Sequence, residues 1–350
     1  MPEQNYFVLN QSAQYYETGF SCDNALVLCT QDGKIFFTDM RYVLEAKQNV
    51  KKGVEVRESK DLYADLGKVV KQLKISRFCF DPKELSLSDY NLLLKSLEST
   101  KTKLIQKPNF HQKLRIIKTD KQIALIQKSQ QLNKKAFKAF AHFIRKQLTK
   151  TKRLSESKLH FYASEFLSDF GDYELSFNPI VGINATGAKP HALPSADIFL
   201  QKNDLLLFDA GIKFRRYCSD RTRTAQVDEN MSFSKKQRFK NPKQQKIYDI
   251  VRKAQEKAIT QARSGMKASQ IDSLAREVIE SSGYGKYFVH STGHGIGLDI
   301  HELPVISARS DEIIEDGMVF SIEPGIYLGG KFGVRIEDLV VMRDGKAQII

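Results

Sequence analysis

The spacing of apolar positions along the chain changes several times, and each change marks a different kind of element. Residues 25–30 and 34–39 are short apolar runs that read as strands, joined by a segment whose Asp32-Gly33 pair signals a hairpin turn. Leu62, Leu66, Val69, Val70 and Leu73 then recur at helical spacing, and residues 77–80 return to a strand-like run. Together these predict a small α/β domain whose notable polar and aromatic cluster is Asp39, Met40, Arg41 and Tyr42. From Lys101 to Lys121 the chain turns basic and irregular around Pro108 and Asn109, which places a domain boundary there and divides the sequence into residues 1–112 and 113–350.

A long amphipathic helix is predicted next, with Leu125, Ser129, Leu132, Ala136, Phe140 and Phe143 on one face. Ser155 offers a hydroxyl to cap a second helix running towards Phe170. Ile247, Ile250, Val251, Ala254 and Ala258 predict a third helix, and Ile271, Leu274, Ala275, Val278 and Ile279 a fourth, with Gly265 as the stop between them. Strand-like segments lie among and after these helices, so the second domain also mixes the two element types. The fold class is therefore α/β, or α+β, without a short-period repeat or a low-complexity tract.

Composition narrows the class of protein. At 41% hydrophobic and 27% charged residues the chain reads as a soluble globular protein. It shows no long apolar run and no charged-then-apolar leader, which predicts a cytoplasmic protein without a membrane span. Cys22, Cys29, Cys79 and Cys218 lack metal-ligand spacing and are expected as reduced thiols in the core. The net charge of +14 raises the question of a nucleic-acid partner. The excess is spread along the chain with no nucleic-acid motif beside it, so none is expected. The densest basic cluster, Lys235, Lys236, Arg238, Lys240, Lys243 and Lys246, is expected as a solvated surface loop.

Candidate chemistry centres on residues 291–304, where His294 and His301 stand seven apart in a glycine-rich run with His290 four residues ahead. Alone, this pattern suits a packed loop as well as a metal site. Acidic residues on either side shift the balance. An apolar run over residues 205–211 puts Asp209 on the face of Leu205 and Leu207 if it is a strand. Asp220 follows eleven residues later, and a hairpin of that length brings both acids to one face. Two acids held close together repel unless a proton or a cation lies between them. Residues 318–325 likewise align Val319, Ser321 and Glu323, and residues 333–339 align Arg335 and Glu337. Four carboxylates and one imidazole suit two divalent cations such as manganese, cobalt or zinc.

Asp209 and Asp220, His294 in Gly-His-Gly-Ile-Gly, Glu323 in Ile-Glu-Pro-Gly and Glu337 in Arg-Ile-Glu-Asp together resemble the five-ligand signature of the pita-bread metallopeptidases. The N-terminal segment with Thr38, Asp39, Met40, Arg41 and Tyr42 resembles the creatinase-type domain of the proline-specific branch, the Xaa-Pro aminopeptidases and Xaa-Pro dipeptidases (prolidases). Methionine aminopeptidases share the ligands but lack that domain. The resemblance implies a pita-bread catalytic domain preceded by a smaller creatinase-type α/β domain. It also implies two divalent ions, Mn2+ foremost with Co2+ or Zn2+ as alternatives. Asp209 would bind one metal and His294 with Glu323 the other, while Asp220 and Glu337 bridge them. Glu323 would be the general base. His191, His290, His301, Tyr327 and Arg335 would line the substrate site, the three histidines also steadying the tetrahedral oxyanion. Expected partners are proline-containing peptides or dipeptides and a second copy of the chain.

The expected reaction is hydrolysis of the bond between an N-terminal residue and a following proline, with a prolidase restricted to Xaa-Pro dipeptides as the alternative. A metal-free binding protein on the same fold is disfavoured by the five intact ligand positions. His294 and His301 are not a zinc pair on one helix turn, which requires a spacing of four. Asp299 and Glu302 are expected to hydrogen-bond rather than ligate, Asp338 to face away from Glu337, and His111, His142 and His160 to lie at the surface.

Overall fold

A computed structural model describes residues 5–148 and 153–350. The chain divides into two units, residues 1–115 and 116–350. In the first, six strands form one mixed sheet in the order Val54–Glu58, Lys34–Thr38, Ala25–Cys29, Tyr6–Val8, Arg77–Phe80, Lys103–Gln106. The Asp32-Gly33 turn closes the predicted hairpin, with the Thr30 amide donating to the Gly33 carbonyl at 2.9 Å. Side chains alternate across this sheet as a period of two demands. Phe7, Leu26, Leu28, Phe37, Phe78 and Phe80 meet Leu66, Val70 and Leu93 of the helices Leu62–Gln72 and Leu87–Leu97, whereas Val8, Val27, Cys29, Phe36 and Cys79 form a core on the opposite face.

All four cysteines are free and buried, as expected of core thiols. His111 departs from expectation: it is 1% exposed rather than superficial. Its Nε2 lies 2.9 Å from the Glu17 carboxylate, which also accepts from the Tyr6 hydroxyl at 2.8 Å and pairs with the Lys34 ammonium at 2.6 Å. A periodic pattern cannot reveal a polar residue buried by a partner 94 positions away.

The second unit is built round the helix Asp120–Leu148. Its buried face overlaps the predicted one in part: Ser129, Ala136 and Phe140 are buried as expected, Ile123, Ile126, Phe137 and Ile144 join them, and Leu125, Leu132 and Phe143 are half-buried. Ser129, Gln130 and Asn133 are fully buried. They donate to the carbonyls of Ile212, Asp220 and Ala210 at 2.9, 2.8 and 2.8 Å. Buried carbonyls are costly to leave unpaired, so these bonds fasten the helix to the strand segments. The helix thus holds the two segments that carry Asp209 and Asp220.

Strand Leu205–Ala210 lies between Ile180–Ile183 and Arg221–Gln226, antiparallel to both, with Asp209 opposite Thr222. A five-stranded sheet runs in the order Glu302–Ile306, Gly293–Gly295, Val319–Ile322, Asp338–Arg343, Lys346–Ile349. The helices Pro242–Gln261 and Ala268–Ser281 bury Ile247, Val251, Ala254, Ile271, Ala275 and Ile279 in the core that includes its apolar residues. The basic segment is only partly the solvated loop expected. Lys243 and Lys246 belong to the helix Pro242–Gln261, and Met231, Phe233 and Phe239 are buried. Lys235 pairs with the buried Asp338.

Candidate active site

Each predicted acid comes from the end of a strand, where the pleat fixes which way the side chain projects. Asp220 directly precedes Arg221–Gln226, Glu323 directly follows Val319–Ile322, and Glu337 directly precedes Asp338–Arg343. Asp220, His294 and Glu337 bring ligand atoms within 4.8 Å of one another. His294 Nε2 lies 3.5 Å from Asp220 Oδ2 and 3.2 Å from Glu323 Oε1. Asp209 joins this group through Arg335, whose Nη2 donates to Asp209 Oδ2 at 2.5 Å and whose Nε donates to Thr222 Oγ1 at 3.0 Å. Thr222 in turn donates to Glu337 Oε2 at 2.8 Å. Arg335 and Glu337 therefore share one face, as their spacing predicts.

Charge on these acids is expensive without a counter-charge. Burial, followed by the nearby Asp209, pushes the Asp220 carboxyl up to about 7. Burial and then Asp220 raise Glu337 well above the carboxylate range. Burial would also raise Glu323, but the bond from His294 outweighs it and holds that carboxyl at about 2. His294 is raised far above an ordinary imidazole because its bonds to Asp220 and Glu323 outweigh its burial. Asp209 Oδ1, Asp220 Oδ1 and Glu337 Oε1 are buried without a hydrogen-bond partner. Oxygen-rich and partly unsatisfied, with acids that lack a compensating charge, this cluster fits a divalent cation.

His290, Tyr327 and Arg335 form a relay whose proton positions follow from the chemistry of its ends. The Ser291 carbonyl can only accept, so His290 donates to it from Nδ1 at 2.8 Å. Nε2 must then accept from the Tyr327 hydroxyl, 2.9 Å away, and that oxygen accepts from Arg335 Nη1 at 2.7 Å. Burial lowers the His290 pKa, which agrees with this neutral tautomer. Both ring nitrogens of His290 are thus engaged within the protein. His301 packs edge-on against His294, ring centroids 4.3 Å apart, and is exposed. His191 is also exposed and follows Pro190, whose carbonyl accepts from Arg335 Nη1 at 3.3 Å.

The glycines beside His294 serve packing between strands. A Cβ on Gly293 would strike the Ser321 carbonyl and one on Gly295 the Leu303 carbonyl, so both let neighbouring backbones approach. Glu302 is a hydrogen-bonding residue, accepting from the Asp299 amide at 3.0 Å and from Lys118 at 3.2 Å. Asp338 faces away from Glu337 into a buried group with Arg223, Lys235 and Gln255. Sequence reasoning missed Thr222, whose hydroxyl joins Arg335 to Glu337. Its position opposite Asp209 in the strand pair was the available signal.

The two-unit architecture and this buried carboxylate-histidine cluster are those of a metallopeptidase. Residues 124–344 match metallopeptidase family M24 and residues 4–117 match the Creatinase/Prolidase N-terminal domain, so the chain belongs to that family, with a pita-bread domain behind a creatinase-type one. It is 38% identical over 235 residues to the Xaa-Pro dipeptidase of Pyrococcus furiosus, covering 67% of this chain and 63% of that protein. The solved Xaa-Pro dipeptidase from Bacillus anthracis superposes with a TM-score of 0.87 at 32% identity, over 99% of this chain and 92% of the other. The X-Pro aminopeptidase from Thermotoga maritima does so with a TM-score of 0.84 at 30% identity, over 99% and 94%.

Proposed function

We propose that this chain hydrolyses the peptide bond between an N-terminal residue and a following proline. The observation that carries the reading is the buried convergence of Asp220, His294 and Glu337, with unpartnered oxygens on Asp220 and Glu337, in a chain of family M24. The Xaa-Pro activities named for its relatives supply the substrate class. In this reading Asp209, Asp220, His294, Glu323 and Glu337 would hold the cations. Bound there, the two ions would supply the positive charge that acidifies a water and polarises a carbonyl.

The side chains divide the remaining work. Glu323, steadied by Ser321 Oγ at 3.0 Å and by His294, takes the proton released in hydrolysis and delivers it to the proline nitrogen as that group leaves. Arg335 fixes Asp209, and Tyr327 with His290 fixes Arg335. The exposed His191 and His301 are the imidazoles that reach the substrate and the developing oxyanion. Manganese as the native ion, a homodimer and a cytoplasmic location complete the proposal, the first two resting on the family resemblance and the last on composition.

The test is turnover of an Xaa-Pro dipeptide and of an Xaa-Pro-Xaa tripeptide by metal-stripped protein, before and after Mn2+ is added. Metal-dependent cleavage of either supports the proposal, and cleavage of the dipeptide alone selects the prolidase form. No cleavage of either with Mn2+, Co2+ or Zn2+ refutes it.

A further inference from the structure

The segment that leads from the fourth helix of the second unit to His294 is held by an ion pair on that helix. Asp272 is fully buried, and Arg276 stands one turn along the helix Ala268–Ser281. Asp272 Oδ2 accepts from Arg276 Nε at 2.7 Å, and Oδ1 accepts from Arg276 Nη2 at 2.9 Å. This two-point pairing fixes the plane of the guanidinium. Its outer edge donates from Nη1 to the Phe288 carbonyl at 3.3 Å and from Nη2 to the His290 carbonyl at 3.0 Å. The cation also lies 4.3 Å from the centroid of the Phe288 ring. Asp272 Oδ1 accepts in addition from the Thr292 amide at 3.2 Å and the Thr292 hydroxyl at 2.8 Å.

The three residues held, 288, 290 and 292, alternate, so one edge of this segment is fastened at every second position. Two consequences reach the site. His290 is fixed at its own carbonyl, which sets where its ring meets Tyr327 and through it Arg335. The Thr292 carbonyl accepts from the Glu323 amide at 2.8 Å, so the same clamp sets the position of the Glu323 backbone. A buried carboxylate and a half-buried guanidinium that merely offset each other's charge would not need to make four further bonds to this one segment.

We propose that Asp272 and Arg276 are positioning residues for the reaction, holding His290 and Glu323 in register from the helix behind them. The inference rests on the Xaa-Pro peptidase reading above. Arg276 is required for its planar fork: a lysine ammonium offers one point charge where the clamp uses three nitrogens.

The experiment uses full-length wild type, Arg276→Gln and Arg276→Lys, each with Mn2+ and an Xaa-Pro substrate. Arg276→Gln is expected to lose about 30- to 100-fold in kcat, the scale of a misplacement of about 1 Å, with a smaller change in KM. Arg276→Lys is expected to recover little of the loss. Mn2+ affinity, read by calorimetry on stripped protein, should fall by less than the roughly tenfold lower bound for loss of a group bonded to a ligand. The Arg276 side chain is 23% exposed, so millimolar guanidinium ion can enter the space left in Arg276→Gln and should restore part of kcat. If Arg276→Gln does not fold, Arg276→Lys carries the same readouts. A variant with wild-type kcat, or a loss matched by Arg276→Lys regaining full rate, overturns the positioning role alone. Wild type that binds no divalent ion and cleaves neither substrate overturns the function and this inference together.

Discussion

Glu323 and Glu17 show how the same side chain is set to opposite ends by its neighbours. Glu323 lies among acids, yet His294 and Ser321 hold it ionised and pointed into the cluster. Glu323→Ala should therefore lower kcat by about 10²- to 10⁴-fold, the range for a lost general base, and weaken Mn2+ binding. Near-normal turnover in that variant would remove Glu323 from the proton path. Glu17 serves structure instead. Burial would raise its pKa, but bonds from His111, Lys34 and Tyr6 outweigh it and keep it at about 2, against an ordinary 4.5. A depressed carboxyl contributes stability that is present above about 4.5 and lost as pH falls towards 2. Glu17→Gln is expected to lower the Tm at pH 7, with the gap to wild type closing between pH 4.5 and 2 in thermal melts. A gap that stays constant through that window would show that the pairing contributes nothing.

At the scale of elements, the helix Asp120–Leu148 joins stability to chemistry. Its period was legible, and its existence followed from a run of apolar residues at helical spacing. Which face is buried was legible only in part, because Gln130 and Asn133 count as polar in any pattern and are buried only by virtue of carbonyls about 80 to 90 residues away. Gln130→Leu leaves the Asp220 carbonyl without its partner. It should cost about 1–3 kcal/mol, seen in denaturant melts, and loosen Mn2+ binding through Asp220. Unchanged stability and affinity would mean that Asp220 is held by its strand alone. The basic segment teaches the same lesson from the other side: the burial of Met231, Phe233 and Phe239 is masked by the dense positive charge that follows and surrounds them.

For the molecule as a whole, the acids at Asp209, Asp220, Glu323 and Glu337 and the imidazole of His294 could be picked out in the sequence. A carboxylate at the end of an apolar strand is an unusual pattern, and four such positions share one chemistry with the imidazole. Hairpin, strand and helix periods were equally local, and they survive in the structure because backbone geometry dictates them. The partners of buried polar groups are a different kind of fact. That Thr222 joins Arg335 to Glu337, that both nitrogens of His290 are engaged, that His111 sits inside beside Glu17, and that Asp272 and Arg276 clamp residues 288–292 depend on which segments fold against one another. Sequence by itself determined the elements and the chemical type of the site. Only the tertiary structure decided how each of its groups is held, because a hydrogen bond depends on distance and direction between segments whose separation in the chain leaves no periodic trace.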